Sequence, residues 1–278
     1  LRKAAKACPV LGNPSFFLGR GSLFFADLAV SAWLQPRGRN MMEVRAVTKH
    51  YPQGRRMVRA LNGVSLEIAG GEFVSIMGPS GSGKSTLMHL LGALDAPTTG
   101  EVYFQGKGLH LLADRELAHL RRSRIGFIFQ FFNLLPTLTA VENVALPLLL
   151  AGQSRARALA PARDMLERVN LRERADHFPD EMSGGEMQRV AIARALVVEP
   201  EAVLCDEPTG NLDSANSQEI LKLLRSLPEK GKRSVVMVTH CPQAARYGDR
   251  VVHLCDGLID SEETFADRNE HVLRLSHA

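Results

Sequence analysis

The 278-residue chain has few cysteines and no long apolar run, and each shortage excludes a class of protein. Only Cys8, Cys205, Cys241 and Cys255 occur, and none stands in a C-x2-C pair, which argues against a zinc site. Four cysteines are too sparse for a disulfide framework, so reduced, structural thiols in a cytosolic protein are expected. No uninterrupted stretch of about 18 apolar residues exists, so no membrane span is expected. An apolar share of 45% against 23% charged residues excludes a wholly disordered or low-complexity chain. The length allows one large domain or two small ones, and neither an internal repeat nor a heptad array is present.

A formal net charge of +4 points toward nucleic acid, but its distribution does not. Residues 1–40 carry six basic side chains against Asp27 alone, a net of +5, which leaves −1 on the other 238 residues. A nucleic-acid groove needs its basic residues on the folded body, so no nucleic-acid partner is expected. The first forty residues also differ in pattern. Their apolar runs are broken by Gly19-Arg20-Gly21 and by Asp27, without a small-residue cleavage site. They are expected to be a poorly structured extension, with the natural start at Met41 or Met42. The rival reading is an amphipathic anchor. At the other end, residues 263–278 read as a polar tail.

Between these ends, short β-branched runs alternate with helical spacing. Glu43–Val47, Val64–Ile68 and Glu72–Met77 read as strands, with Gly70-Gly71 as a turn. Lys84–Leu94 reads as a helix and Arg124–Gln130 as a strand. Leu159, Ala162, Leu166 and Val169 fall on one helical face. Ala202–Cys205 and Ser234–Thr239 read as buried parallel strands, with a helix marked by Ile220, Leu224 and Leu227 between them. The expected fold is α/β: a mostly parallel sheet with an antiparallel β portion and a helical insertion at about 131–195.

Three motifs carry chemistry. Gly78-Pro79-Ser80-Gly81-Ser82-Gly83-Lys84-Ser85-Thr86 matches G-x4-G-K-[ST], between a strand and a helix. Such a loop turns backbone N–H groups onto phosphate oxygens at the positive end of a helix. Lys84 supplies a charge at the β- and γ-phosphates, and the Ser85 hydroxyl is a Mg2+ ligand. Asp206 and Glu207 end an apolar strand; in a phosphate-loop protein the first holds Mg2+ and the second polarises the attacking water. Ser183-Gly184-Gly185-Glu186 opens a helix, which is either a simple cap or a second anion site.

Together and in this order, these motifs resemble the ATP-binding subunits of ABC transporters, over about residues 43–260. The resemblance implies a P-loop NTPase (RecA-like) core in an ABC ATP-binding domain at 41–262. It makes Gly78–Thr86 the Walker A loop and Asp206 and Glu207 the Walker B pair. Tyr51 resembles the aromatic residue that stacks on adenine. Gln130 resembles the Q-loop glutamine, which contacts Mg2+ and senses the membrane subunit. Ser183 to Glu186 resemble the family signature, Asp213 the D-loop aspartate, and His240 the switch histidine at the γ-phosphate. Met182 stands where the family usually has Leu, and Cys241 where Asp is common after the switch histidine. Phe129–Pro136, Glu142–Pro147 and Pro208–Asp213 resemble the LolD, MacB and FtsE group within the family.

The resemblance further implies a homodimer paired head to tail. Ser183 and Gly185 of one subunit would cover ATP held by Lys84 of the other, and hydrolysis would use Glu207 and His240. The partner would be a transmembrane permease on a separate chain, with the ATPase peripheral on the cytoplasmic face of the membrane. Such systems release lipoprotein, export macrolide or peptide, or transmit force. Phe131–Pro147 is either part of the permease groove or insertion core. Two other readings are a soluble, non-transport ABC ATPase acting on ribosomes or DNA, and an unrelated P-loop kinase or GTPase. The second leaves Ser183-Gly184-Gly185 and His240 unexplained.

Overall fold

The structure, a computed structural model, describes residues 40–54, 56–229 and 233–265. The expectations for residues 1–39 and 266–278 lie outside the described residues. Two sheets form the frame. An antiparallel sheet in the order β2-β1-β4-β5 is built from β1 (Asn40–Gln53), β2 (Arg56–Ala69), β4 (Thr99–Phe104) and β5 (Lys107–Gly108). The second sheet has the order β10-β9-β3-β8-β7-β6. Its strands are β3 (Phe73–Met77), β6 (Ile125–Ile128), β7 (Ala202–Asp206), β8 (Ser234–Thr239), β9 (Arg250–Cys255) and β10 (Leu258–Thr264). All neighbours in it are parallel except β9 and β10.

The parallel strands read as continuous apolar runs because both their faces are buried. On β7, Val203 and Cys205 face one core while Ala202 and Leu204 face the other. On β8, Val235 and Met237 alternate in the same way with Val236 and Val238. The first core holds α3 (Ala140–Leu150), α4 (Arg155–Arg168), α5 (Gly184–Leu196) and α6 (Ser214–Glu229). The second holds α1 (Lys84–Leu91) and the inner face of the antiparallel sheet. Two further helices flank these cores: α7 (Pro242–Ala245) adds Ala244 to the first, and α2 (Asp114–Ser123) packs Leu117 and Leu120 against the second. Helices α3, α4 and α5 occupy the insertion expected at 131–195.

Boundaries move where local chemistry ends an element. The helix expected to reach Leu94 stops at Leu91, because Gly92 follows and Ala93 takes a left-handed φ of 54°. The strand expected at 43–47 is far longer, and a bulge with Ala46 at φ 45° keeps it paired to both neighbours. Strand β10 corrects the tail boundary: Glu263 and Thr264 pair with Val251 and Arg250 instead of trailing. Asp256 and Gly257, at φ 48° and 76°, form the tight turn that makes this pairing.

Candidate functional site

The phosphate-loop motif lies where β3 meets α1. Gly83 precedes the helix at φ 103°, and a Cβ there would sit 2.3 Å from the Ala60 carbonyl oxygen, so only glycine fits. Helix α1 has no side-chain cap and no acidic residue in its first turn. By contrast α3 and α5 each open with a capping box, Thr139 with Glu142 and Ser183 with Glu186. The first N–H groups of α1 and its positive dipole end are therefore left for an anion.

An open cleft of about 610 Å3 gathers Lys84, Ser85, Gln130, Asp206, Glu207 and His240. Ser80, Gly81, Gly83 and Thr86 line it as well, whereas Gly78, Pro79 and Ser82 do not; Ser82 is buried beneath the loop and Pro79 is exposed. The Lys84 ammonium is nearly buried and donates to the carbonyls of Gly78 (2.9 Å) and Pro79 (2.8 Å). The Ser85 hydroxyl donates to Asp206 Oδ1 at 3.4 Å. Burial pushes the Asp206 carboxyl above the usual range, while His89 and Ser85 pull it back. Burial also pushes the neighbouring Cys205 thiol up, which leaves it an inert core residue.

Glu207 adopts a left-handed φ of 47°, held by its N–H donating to Val238 O at 2.9 Å. This conformation is unfavourable for a residue with a Cβ, and here it aims the carboxylate at the tip of β8. Glu207 Oε1 lies 2.8 Å from His240 Nδ1, and Oε2 accepts the His240 N–H at 3.4 Å. Parallel pairing of β7 and β8 makes this contact, since Asp206 is in register with Val238. Cys241 sits at the start of α7 and makes no side-chain cap; its N–H donates to Thr239 Oγ1 at 3.1 Å. The histidine ring is thus held by Glu207.

The remaining motif residues are distributed around the cleft. Tyr51 stands opposite Val58 on β2, and Val58 lines the cleft. The Gln130 main-chain carbonyl accepts from Asn211 Nδ2 at 2.9 Å, which ties its loop to the turn after β7. Ser183, Gly184, Gly185 and Glu186 do not line the cleft. The Ser183 N–H donates to Glu186 Oε2 (2.8 Å), and Arg174 pairs with Glu186 Oε1 (3.1 Å), so this carboxylate serves its own helix start. Asp213 accepts from the Asn216 N–H (2.9 Å) and Nδ2 (2.7 Å). Met182 is buried in the insertion core, where the exchange for Leu preserves apolar contact.

Phe131–Pro147 divides between its two readings. Phe131 and Leu135 are exposed, whereas Val141, Val144 and Ala145 are core. Leu146 and Pro147, with Phe127 and Phe129, line a second cleft of about 560 Å3. Three polar residues escaped sequence reasoning. Gln188 is buried and donates to Pro208 O at 2.7 Å, anchoring the turn behind Glu207. Asn143, also buried, holds Leu135, Leu138 and Thr139 through their main chains. Asn216 packs against Gly185. Gln188 and Asn143 have no local signal, because their partners are distant in sequence or main-chain; Asn216 bonds Asp213 three positions before it, and only its contact with Gly185 is distant.

The donor set suits a hard cation bound with phosphate: Ser85, Asp206 and Gln130 bring a hydroxyl, a carboxylate and a side-chain amide to the lining of one cleft. Among the described residues, no group of three or more His, Cys, Asp and Glu forms a metal site by itself. No helix among them is long and apolar enough to cross a membrane.

The chain is similar to known proteins in both sequence and fold. The family described as ABC transporter matches residues 61–210. An ABC transporter ATP-binding protein of Methanocaldococcus jannaschii, MJ0796, is 48% identical over 80% of this chain and 97% of its own length. The lipoprotein-releasing system ATP-binding protein LolD of Geobacter metallireducens is 49% identical over 79% and 98%. The macrolide export ATP-binding/permease protein MacB of Chlorobaculum tepidum is 50% identical, but the match spans 33% of that longer protein. The dimeric structure of MJ0796 in a post-hydrolysis state bound to ADP and Pi superposes with a TM-score of 0.76 at 46% identity. It covers 82% of this chain and all of that one.

Proposed function

This chain belongs to the ABC transporter family as an ATP-binding subunit, and on that premise we propose how its residues bind ATP, hydrolyse it and couple that cycle to a separate permease. The observation that carries the proposal is the single cleft holding Lys84, Ser85, Asp206, Glu207 and His240 at the start of α1.

Residues Gly78–Thr86 wrap the phosphates, with Tyr51 against the adenine. Lys84 exchanges its two carbonyl partners for β- and γ-phosphate oxygens, which is a stronger, charge-assisted pairing. Ser85, Gln130 and Asp206 would hold Mg2+, which supplies charge neutralisation on the phosphates when bound. Its positive charge also relieves the cost of burying the Asp206 carboxylate. Glu207 orients and polarises the attacking water, and His240, hydrogen-bonded to it, contacts the γ-phosphate. Catalysis rests on positioning and charge, without a covalent intermediate.

The signature residues lie outside the cleft, which supports a site completed by a second copy. Ser183 and Gly185 of one subunit, with Asp213 nearby, cover the nucleotide of the other. ATP thereby favours the closed pair, and hydrolysis removes that preference. A permease on another chain reads this change through the cleft beside Phe129 and Pro147, with the ATPase peripheral on the cytoplasmic face of the membrane. The likeness to LolD and MacB supports lipoprotein or macrolide as cargo.

The test is affinity capture of a Glu207→Gln variant from native membranes with ATP, followed by mass spectrometry. The substitution slows hydrolysis and holds the closed dimer. Recovery of a permease with a large extracytoplasmic domain is expected. Recovery of ribosomes or DNA-repair proteins without a membrane protein would overturn the coupling.

A further inference from the structure

The Tyr51 phenol hydrogen-bonds Thr86 of the phosphate loop, and a second network, outside that loop, grips the ring from the other end of α1. The phenol donates to Asp95 Oδ2 at 2.9 Å. The other Asp95 oxygen accepts from Lys49 Nζ at 2.6 Å and from the Ala96 N–H at 2.7 Å. Lys49 also donates to Ala96 O at 2.7 Å, and its ammonium lies over the Tyr51 ring, 5.0 Å from the centroid. The pair is mostly shielded, with Lys49 13% and Asp95 33% exposed, so it is screened less than an ordinary surface ion pair.

The position of Asp95 follows from α1. That helix starts at Lys84 in the phosphate loop and ends at Leu91, and the left-handed Ala93 then turns the chain back toward β1. Eight helical residues span about 12 Å, a fixed length set by the helical rise. One rigid element therefore carries both Thr86 of the phosphate cradle and the Asp95 anchor just past its end, and the Tyr51 phenol meets both. Lys49 lies over one face of the ring, which leaves a flat, aromatic group the other face to stack on if Tyr51 serves as the adenine contact.

We propose that Asp95, held by Lys49, is a positioning residue that fixes the Tyr51 ring as the platform for the adenine base. This rests on the reading of Tyr51 as the adenine contact. The anchor sets the ring at one distance from the phosphate cradle, so base and phosphates bind together without ordering the ring first. Asp95 itself need not touch the nucleotide.

The experiment measures equilibrium binding of ADP and of inorganic pyrophosphate to the full chain and its variants. Pyrophosphate uses the cradle alone. Asp95→Ala should weaken ADP about 3- to 10-fold, the worth of one hydrogen bond, and leave pyrophosphate unchanged. In a Tyr51→Phe background, which lacks the phenol, Asp95→Ala should add little, because the two act through one contact. Asp95→Asn keeps the shape and an acceptor for Tyr51 but loses the charge facing Lys49. It should weaken ADP less than Asp95→Ala, and it replaces that variant if the alanine form does not fold. Equal weakening of ADP and pyrophosphate would overturn the proposal, as would an undiminished Asp95→Ala effect in the Tyr51→Phe background. Tyr51→Ala separates the two levels, with an expected loss of about 5- to 150-fold for ADP from lost stacking. An unchanged ADP affinity in Tyr51→Ala would remove the platform reading itself, whereas a large loss there with none in Asp95→Ala or Asp95→Asn would remove only the anchor.

Discussion

A methyl group added at Gly185 would lie 2.2 Å from Asn216 Oδ1, and Asn216 is already committed to Asp213. Gly184, one residue earlier, has only ordinary contacts, with Leu212 at 3.5 Å. Gly185→Ala should therefore destabilise the protein by about 1–3 kcal/mol through overpacking, while Gly184→Ala changes stability far less. Thermal unfolding compares the two. Gel filtration with ATP should show that Gly185→Ala also impairs dimer formation, because the displaced Asn216 releases the Asp213 turn. The glycine pair is plain in the sequence, but its asymmetry is not. It depends on Asn216, thirty-one positions away, meeting one glycine and missing the other.

Among the elements, the helix starts differ in what fills them, and the difference is chemical. The start of α5 is closed by Ser183 and Glu186, and the start of α1 is left open. The Glu186 carboxyl is held below its usual range, chiefly by the Ser183 N–H, with Arg174 adding to it. Because folding lowers this pKa, the stability it contributes is complete above the ordinary value of 4.5. It is lost as pH falls through the lowered value. Glu186→Gln keeps the hydrogen bond but not the charge, so its stability should vary less with acid than the wild type between about pH 3 and pH 6. Glu186→Ala should cost about 1 kcal/mol at neutral pH. Denaturant unfolding across that pH range measures both. This capping box was legible in the sequence, since its parts lie three residues apart. Strand β10 was not, because it is polar along most of its length and shows no buried alternation.

For the whole molecule, the decisive fact is that the phosphate cleft and the Ser183 helix start are separate surfaces of one chain. If two copies complete each other's site, Lys84→Ala and Ser183→Arg should each be inactive alone. A mixed dimer would still contain one intact pairing, the cradle of the Ser183→Arg subunit with the Ser183 of the other. An equimolar mixture should then regain about a quarter of wild-type ATP hydrolysis, for random pairing and independent sites. Phosphate release before and after mixing measures it. An inactive mixture that nevertheless forms mixed dimers would exclude the shared site.

The phosphate loop, the acidic pair after β7, the helix start at Ser183 and the α/β alternation were legible along the chain. Each rests on residues close in the chain, where glycine conformation, capping and apolar period act over a few positions. Which groups meet depends on the folded chain. Parallel register brought His240 to Glu207, and the turn after α1 brought Asp95 to Tyr51. The fold also put Asn216 against Gly185 and divided Phe131–Pro147 between surface and core. Those contacts join residues tens of positions apart, and their geometry exists only once two faces of one sheet have been buried on opposite cores.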